Sequence, residues 1–463
     1  MTHMPMTLPH LMLAKHETSC GHSSTFAELG DGRILHVAGS WKNYSEDGGL
    51  TWTHMREQKL VDTNGDIVNG SSLARLSGSN SIGLVGTRPD LNGPTTHAAG
   101  IIKGDRRRRD RPVTHLAFWR SDDGGQTWQP PVQMTCPGIN ACTWQDVLLR
   151  TSSGRLVMPA YVSMGQASGP ANRPAPTCGK LVRNQWVSTS AHFFDPHFSF
   201  VFVVYSDDEG RSWHRNGDGD LMILHDWATT FSYVNEPSVT EVAPGRLLMF
   251  MRTGLGRLFQ AWSHDNGETW TRPQATCLAA TTTPAQIRTL PTGHLLCVWN
   301  QESHEEVKRG YNRTRLSSAI SRNGGSVWEF FQNVQSLHET TRVEPGPVEP
   351  VHPAEYHFKP GQSAPERPAQ LIATAESHGR WSYPSVLVLK DRVLITHTYS
   401  TYEDDPIKAQ IIRNPTDKDG RPLKDAHGQV NQILRVLPLK WFYGGKEPTS
   451  NPALQEAYEP AKP

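Results

Sequence analysis

The chain has 463 residues, with 46 lysines and arginines against 45 aspartates and glutamates, for a formal net charge of +1. That balance gives no global attraction to nucleic acid or an anionic membrane, so affinity for an anionic ligand has to come from a local arginine cluster. With 36% hydrophobic and 20% charged residues the chain is folded rather than disordered. Its longest apolar stretch, Phe198–Tyr205, falls far short of the ~20 residues of a membrane span.

The N-terminal sequence MTHMPMTLPHLMLAKHE has no basic stretch followed by a clean apolar core. No signal peptide is predicted, and a cytoplasmic location is expected. The six cysteines form no CxxC pair, so free thiols are expected, Cys136–Cys142 being the one pairing considered. The 39 glycines and 34 prolines suit an all-β chain with many turns.

An eight-residue pattern, Ser-x-Asp-x-Gly-x-x-Trp, recurs along the chain. It reads SEDGGLTW at Ser45–Trp52, SDDGGQTW at Ser121–Trp128, SDDEGRSW at Ser206–Trp213 and SHDNGETW at Ser263–Trp270. A degraded copy, SRNGGSVW at Ser321–Trp328, has Asn323 in place of the aspartate. The aspartate can accept bonds from nearby backbone N–H groups and hold a turn. The glycine permits a positive φ and the tryptophan packs back across the turn. These boxes are therefore structural.

Between the boxes runs a second pattern of apolar strand, tight turn and apolar strand, in six copies. The turns lie at Asp31-Gly32, near Gly78, and at Ser153-Gly154, Pro244-Gly245, Thr292-Gly293 and Lys390-Asp391. Each reads as a hairpin. Its apolar strands suit sheets stacked between other sheets. Repeated four-stranded antiparallel sheets are the mark of a β-propeller, so one six-bladed propeller spanning 1–463 is predicted. The segment Gln432–Tyr443 reads as a late strand, and it or the N-terminal segment closes the ring. Loop excursions are expected near 104–111, 166–196 and 337–367. The arginine run GDRRRRDR in the first reads as a solvated loop. His192 and His197 have no third partner in view, so no metal is assigned.

In a propeller the first strand of each blade lines the central channel. Residues eight to ten before each hairpin turn then sit at one height near the mouth. Those positions hold His22, Asn69 or Gly70, Gln145-Asp146, Glu236, Ala285-Gln286 and Tyr383. Past the turns, the returning strands bring Tyr161, Arg252, Asn300 and Tyr399 to the same level, with Arg88 a little further along. A mouth carrying Glu, Tyr, Asp, His and two arginines is more polar than packing requires.

This arrangement resembles the sialidase (neuraminidase) superfamily of Asp-box propellers. In those enzymes a glutamate begins one inner strand and an arginine follows on the neighbouring strand. NEPSVTEVAPGRLLMFMRT supplies Glu236 and Arg252. A tyrosine begins the last inner strand, and WSYPSVLVL supplies Tyr383. A further arginine precedes a leucine just ahead of a box, and NRTRLSSAIS supplies Arg313, with Arg315 the less favoured choice.

The resemblance implies an exo-acting glycosidase that retains configuration and removes a terminal acidic sugar. Tyr383 is the nucleophile, Glu236 its base, and Arg252 and Arg313 clamp the carboxylate. Gln286 joins the substrate-binding residues, no cofactor is implied, and the expected partner is an acidic glycan or sialoglycoconjugate.

The sequence departs from the family in two places. His22 holds the position of the family's first arginine, leaving Arg88 as the candidate replacement. The loop HVAGSWKNY lacks the family's acid, leaving Asp146 or His22 as proton donor. A uronic-acid-directed lyase or glycosidase using His22 is one alternative on the same scaffold, and a non-catalytic glycan-binding propeller another.

Overall fold

In a computed structural model of the protein, the described residues are 8–18, 24–53, 58–89, 95–96, 111–112, 114–136, 141–143, 145–165, 179–182, 185–189, 197–223, 234–308, 311, 313–349, 379–401 and 431–449. They form an all-β, six-bladed propeller of antiparallel sheets with almost no helix.

Blade one comprises Ser24–Glu28, Ile34–Ala38 and Trp41–Ser45, with Lys59 bridged to Trp41 at its outer edge. Blade two runs Gly70–Arg75, Ile82–Pro89, Thr114–Ser121 and Val132–Gln133. Blade three runs Leu149–Arg150, Leu156–Gly165, His197–Ser206 and His214–Arg215. The end of its second strand also pairs with the hairpin Gly179–Val182/Gln185–Thr189, which falls in the predicted 166–196 excursion. Blade four is Val234–Ala243, Arg246–Thr253, Arg257–Ser263 and Gln274–Ala279, and blade five is Gln286–Thr289, Leu295–Asn300, Arg315–Ser321 and Glu329–Ser336.

Blade six is built from both ends of the described chain. Gly379–Val388, Arg392–Thr401 and Asn431–Pro438 are joined by Ala14–Thr18, with Ala14 opposite Val436. The late strand and the N-terminal segment thus close the ring together.

The apolar strands are buried because each blade has a neighbour on both faces. Every interface carries its own cluster. Phe26 meets Leu394 and Leu434 between blades six and one. Leu35 meets Leu84 and Trp119 between one and two, and Phe118 meets Met158 and Phe202 between two and three. Val201 meets Met249 between three and four, Phe250 meets Ile287 and Trp299 between four and five, and Ile320 meets Ile395 between five and six. Fully burying one such side chain contributes roughly 1.5–3 kcal/mol.

The boxes are the turns expected. Asp47 Oδ1 accepts the Ser45 hydroxyl at 2.9 Å and the Thr51 N–H at 2.8 Å. Asp47 Oδ2 takes the Thr51 hydroxyl at 2.6 Å, and the Trp52 indole N–H bonds the Gly49 carbonyl at 3.0 Å. Asp123, Asp208 and Asp265 repeat the pattern. The box glycine has a second reason to be glycine. Gly49 has φ +91°, and a Cβ on it would stand 2.6 Å from Leu394 of the preceding blade. Each box is thus the point where one blade is pressed against the last.

Among the described residues Cys136, Cys142, Cys277 and Cys297 are free thiols, so Cys136 and Cys142 are not paired. No described helix is long and apolar enough to cross a membrane. Residues 104–110 and the segment 192–196 lie outside the described residues.

Candidate active site

The inner strand of blade four opens Val-Asn-Glu-Pro-Ser. Pro237 has no N–H to give to the ladder, and the register with the next strand slips between Asn235 and Ser238. Glu236, caught in the slip, has φ +42°. Blade six repeats the device: Pro384 follows Tyr383, the register slips between Ser382 and Ser385, and Tyr383 has φ +54°. Arg313 has φ +66°. Left-handed backbone at a residue with a Cβ costs of order 1–3 kcal/mol, and a following proline restricts that residue further. Three of the seven described non-glycine residues with positive φ are thus the side chains that meet here.

Their geometry is direct. The Tyr383 hydroxyl donates to Glu236 Oε1 at 3.2 Å. Arg252 Nη1 donates to Glu236 Oε2 at 2.5 Å and to the Tyr383 oxygen at 3.3 Å. The side chains of Glu236 and Arg252 are fully buried. A buried ion pair is tolerated where further bonds satisfy its atoms, and here the phenol supplies one. The Arg313 guanidinium lies over the Tyr383 ring, 5.2 Å from its centroid, and donates to Ser382 Oγ at 3.3 Å. Arg313 is half-buried, so it and Tyr383 face the opening while Glu236 and Arg252 stand behind them.

Burial, and then the charge of Glu236, push the Tyr383 hydroxyl above its ordinary range, against the opposing pull of Arg252 and Arg313. The phenol is therefore protonated at neutral pH, with a carboxylate in place to accept its proton. Tyr161 lies within electrostatic reach of the same group. Burial and Glu236 raise its hydroxyl well above the usual range, and burial, then Glu236, pushes the neighbouring Cys142 thiol up to about 12. Tyr161 lines this cluster, although the sequence reading gives it no role.

Of the remaining candidates, Asp146 and Arg88 are engaged elsewhere. Asp146 is held in a polar hub on the channel axis. Its Oδ1 accepts the hydroxyls of Thr25 at 2.7 Å and Ser72 at 3.2 Å, and its Oδ2 accepts Ser385 at 3.0 Å. Arg288 donates to the Asp146 backbone carbonyl at 2.5 Å and stands 3.6 Å from its carboxylate. Five blades meet there through a group that is 4% exposed. Arg88 is on the surface, paired with Asp66 at 3.4 Å and 39% exposed, apart from the Tyr383 group. Gln286 begins the inner strand of blade five and is fully buried, and among the described residues its amide has no hydrogen-bonding partner. His22 lies outside the described residues. Arg315 is engaged by Glu306 at 2.9 Å and by the Gln301 carbonyl at 2.8 Å, which leaves Arg313 as the arginine that reaches Tyr383.

Sequence reasoning missed the hub. A strand alternates its faces with period two, and Arg288 and Ser385 each follow a mouth position, Gln286 and Tyr383, by two residues. That alternation was the available signal. Among the described residues no cluster of three or more His, Cys, Asp or Glu side chains could hold a metal ion.

Six blades, five of them carrying a box turn, around a strained tyrosine–glutamate–arginine group define an Asp-box propeller. Residues 97–395 match the family of BNR repeat-like domains, and the chain belongs to that family. It is similar in fold to a Dyadobacter fermentans protein of unknown function, 15% identical with a TM-score of 0.48, over 92% of this chain and 98% of that one. A Hadza microbial sialidase is 14% identical with a TM-score of 0.49, over 94% of this chain and 68% of its own. A Trypanosoma rangeli sialidase in complex with 2,3-difluorosialic acid, described as a covalent intermediate, is 14% identical with a TM-score of 0.48. The match covers 91% of this chain and 55% of that one. At these identities the likeness is one of fold.

Proposed function

We propose that the protein is a retaining glycoside hydrolase that removes a terminal acidic sugar, most simply a sialic acid or a related 2-keto sugar acid. The observation that carries this reading is the bonding of one buried carboxylate, Glu236, to both the Tyr383 hydroxyl and Arg252. A neutral phenol is a weak nucleophile, and a carboxylate 3.2 Å from it can take its proton as the oxygen attacks. The Tyr383 oxygen then bonds the anomeric carbon, the bond to the leaving oxygen breaks, and that oxygen takes a proton from an acid. In the second half the acid, now deprotonated, takes a proton from water as its oxygen attacks the same carbon, the bond to Tyr383 breaks, and Glu236 returns the proton to the phenol.

The placement of Arg313 favours an acid whose carboxylate sits on the anomeric carbon. Its guanidinium packs on the ring of the nucleophile itself, whereas the carboxylate of a uronic acid is carried on C5, across the ring oxygen from the anomeric carbon. For the proton donor, both oxygens of Asp146 are engaged by hydroxyls, which favours His22 over Asp146.

The test is release of fluorescent aglycone from a 4-methylumbelliferyl sialoside by wild type and by Tyr383→Phe. Turnover that falls by about 10³-fold or more in the variant supports both the reaction and the nucleophile. A well-folded wild type with no turnover removes the reading.

A further inference from the structure

Glu302 follows the second strand of blade five and is 1% exposed. Its Oε1 accepts the Thr314 N–H at 2.5 Å and the Thr314 hydroxyl at 2.8 Å, and the Arg313 N–H also bonds the carboxylate. The Thr314 hydroxyl is in turn 2.9 Å from His338 Nε2. These neutral donors tie down the residue with φ +66°. An arginine has no intrinsic preference for that conformation, so something outside it must hold it there.

The tie continues across the boundary to blade six. The Arg313 carbonyl accepts the Trp381 N–H at 3.0 Å, and the Trp381 carbonyl accepts Asn300 Nδ2 at 2.6 Å. Tyr383 stands two residues further along that strand. One buried carboxylate and one buried amide, both at the end of a blade-five strand, thus fasten the backbone of Arg313 to the backbone that carries Tyr383.

We propose that Glu302 is a positioning residue that holds the Arg313 guanidinium over the Tyr383 ring, fixing the acid-binding corner of the site relative to the nucleophile. The inference rests on the reading of Arg313 and Tyr383 given above. It accounts for a buried carboxylate that otherwise sits beside the site bonded to neutral groups, an arrangement that burial alone disfavours.

The test combines steady-state kinetics on the 4-methylumbelliferyl sialoside with amide hydrogen exchange at Thr314 and Trp381 in the substrate-free protein. Glu302→Leu removes the acceptor. Its KM should rise about tenfold with kcat within about threefold, because the clamp binds ground and transition states alike. Its exchange at both amides should quicken. Glu302→Gln keeps an acceptor oxygen for Thr314 and should recover most of the wild-type KM. Thr314→Val removes one bond with little change of shape and should move KM in the same direction by about threefold, so the inference stays testable where Glu302→Leu fails to fold. Wild-type KM and wild-type exchange in Glu302→Leu or Thr314→Val overturn the proposal. A wild type without turnover defeats the reading of the reaction instead, and exchange at Trp381 then decides the anchoring: faster supports it, unchanged overturns it.

Discussion

Glu236 and Tyr383 sit in the same local device on different blades. Each precedes a proline, each lies in a slip of register between the first and second strands, and each has a positive φ, +42° and +54°. The two strained residues point at one another, phenol to carboxylate, at 3.2 Å. Strain on one side chain could be incidental, but the same device on both members of a bonded pair indicates that the backbone is shaped to make the pair.

Replacing Pro384 by alanine should therefore separate activity from stability. The substitution returns freedom to the unfolded chain but relieves the restriction on Tyr383, and the two effects offset within about 1 kcal/mol. We expect a melting temperature close to wild type with activity reduced about tenfold, because a small misplacement of a reacting group is expensive. Calorimetry and the fluorogenic assay check it. A large loss of stability with unchanged specific activity would contradict the role assigned to the strain.

The hub should behave as a coupled charge pair. Arg288→Met leaves the buried Asp146 beside three hydroxyls and no cation, and removing one partner of a buried pair costs about 3–5 kcal/mol. Asp146→Asn in the same chain should recover part of that loss. Denaturant unfolding of the two single variants and the double variant gives the coupling. Strictly additive losses would show that the two residues do not act as a pair.

Acid should weaken the fold earlier than its carboxylates alone would predict. Burial lowers His36 to about 4, and burial with the Arg435 charge lowers His397 to about 3. Both are neutral in the fold, and in the unfolded chain both bind a proton near pH 6.5. Their contribution is complete above pH 6.5 and is lost as pH falls through the interval down to about 4 and about 3. Stability measured by denaturant titration should drop by several kcal/mol between pH 6.5 and 4, with a slope approaching two protons. A flat profile down to pH 5 would show that these rings are not held neutral.

The degraded fifth box offers a gain-of-stability test. Asn323 already accepts the Ser321 hydroxyl at 2.9 Å and the Val327 N–H at 2.9 Å. What it lacks is the hydroxyl that Thr51, Thr127, Ser212 and Thr269 give to the second carboxylate oxygen of their boxes. Asn323→Asp alone should be near neutral, because the Val327 side chain has no hydroxyl to donate to a second carboxylate oxygen. Asn323→Asp with Val327→Thr should gain about 1 kcal/mol, read from the melting temperature. A gain from the single change would show that charge, not the missing hydroxyl, limits this box.

What was legible in the sequence follows the range of the interactions. Ser45, Asp47, Gly49 and Trp52 bond one another within the box, so the pattern of letters is the structure. Glu236, Arg252 and Tyr383 were legible because distance from a hairpin turn measures height along an inner strand. The same measure did not record the surroundings of Asp146, one of the two candidate proton donors, with His22. Its partners Thr25, Ser72 and Ser385 come from three other blades, and only the period-two step from Tyr383 marks one of them, Ser385. The measure fails for Arg88, where a short overshoot along the strand carries the guanidinium to the surface and to Asp66. Glu302 left no mark, because its work is done on the backbone of a neighbouring strand.

The pairing of Ala14–Thr18 with Asn431–Pro438 also sets the order of events during synthesis. Ala14–Thr18 leaves the ribosome about four hundred residues before Asn431–Pro438 and has no partner until that strand has followed it. Until blade six forms, five stacked sheets make an open arc with Phe26 bare on the face that Leu394 and Leu434 of blade six later cover. Loss of Ala14–Thr18 would leave blade six with three strands and a row of unpaired peptide groups along Asn431–Pro438 ready to accept a strand from a second copy.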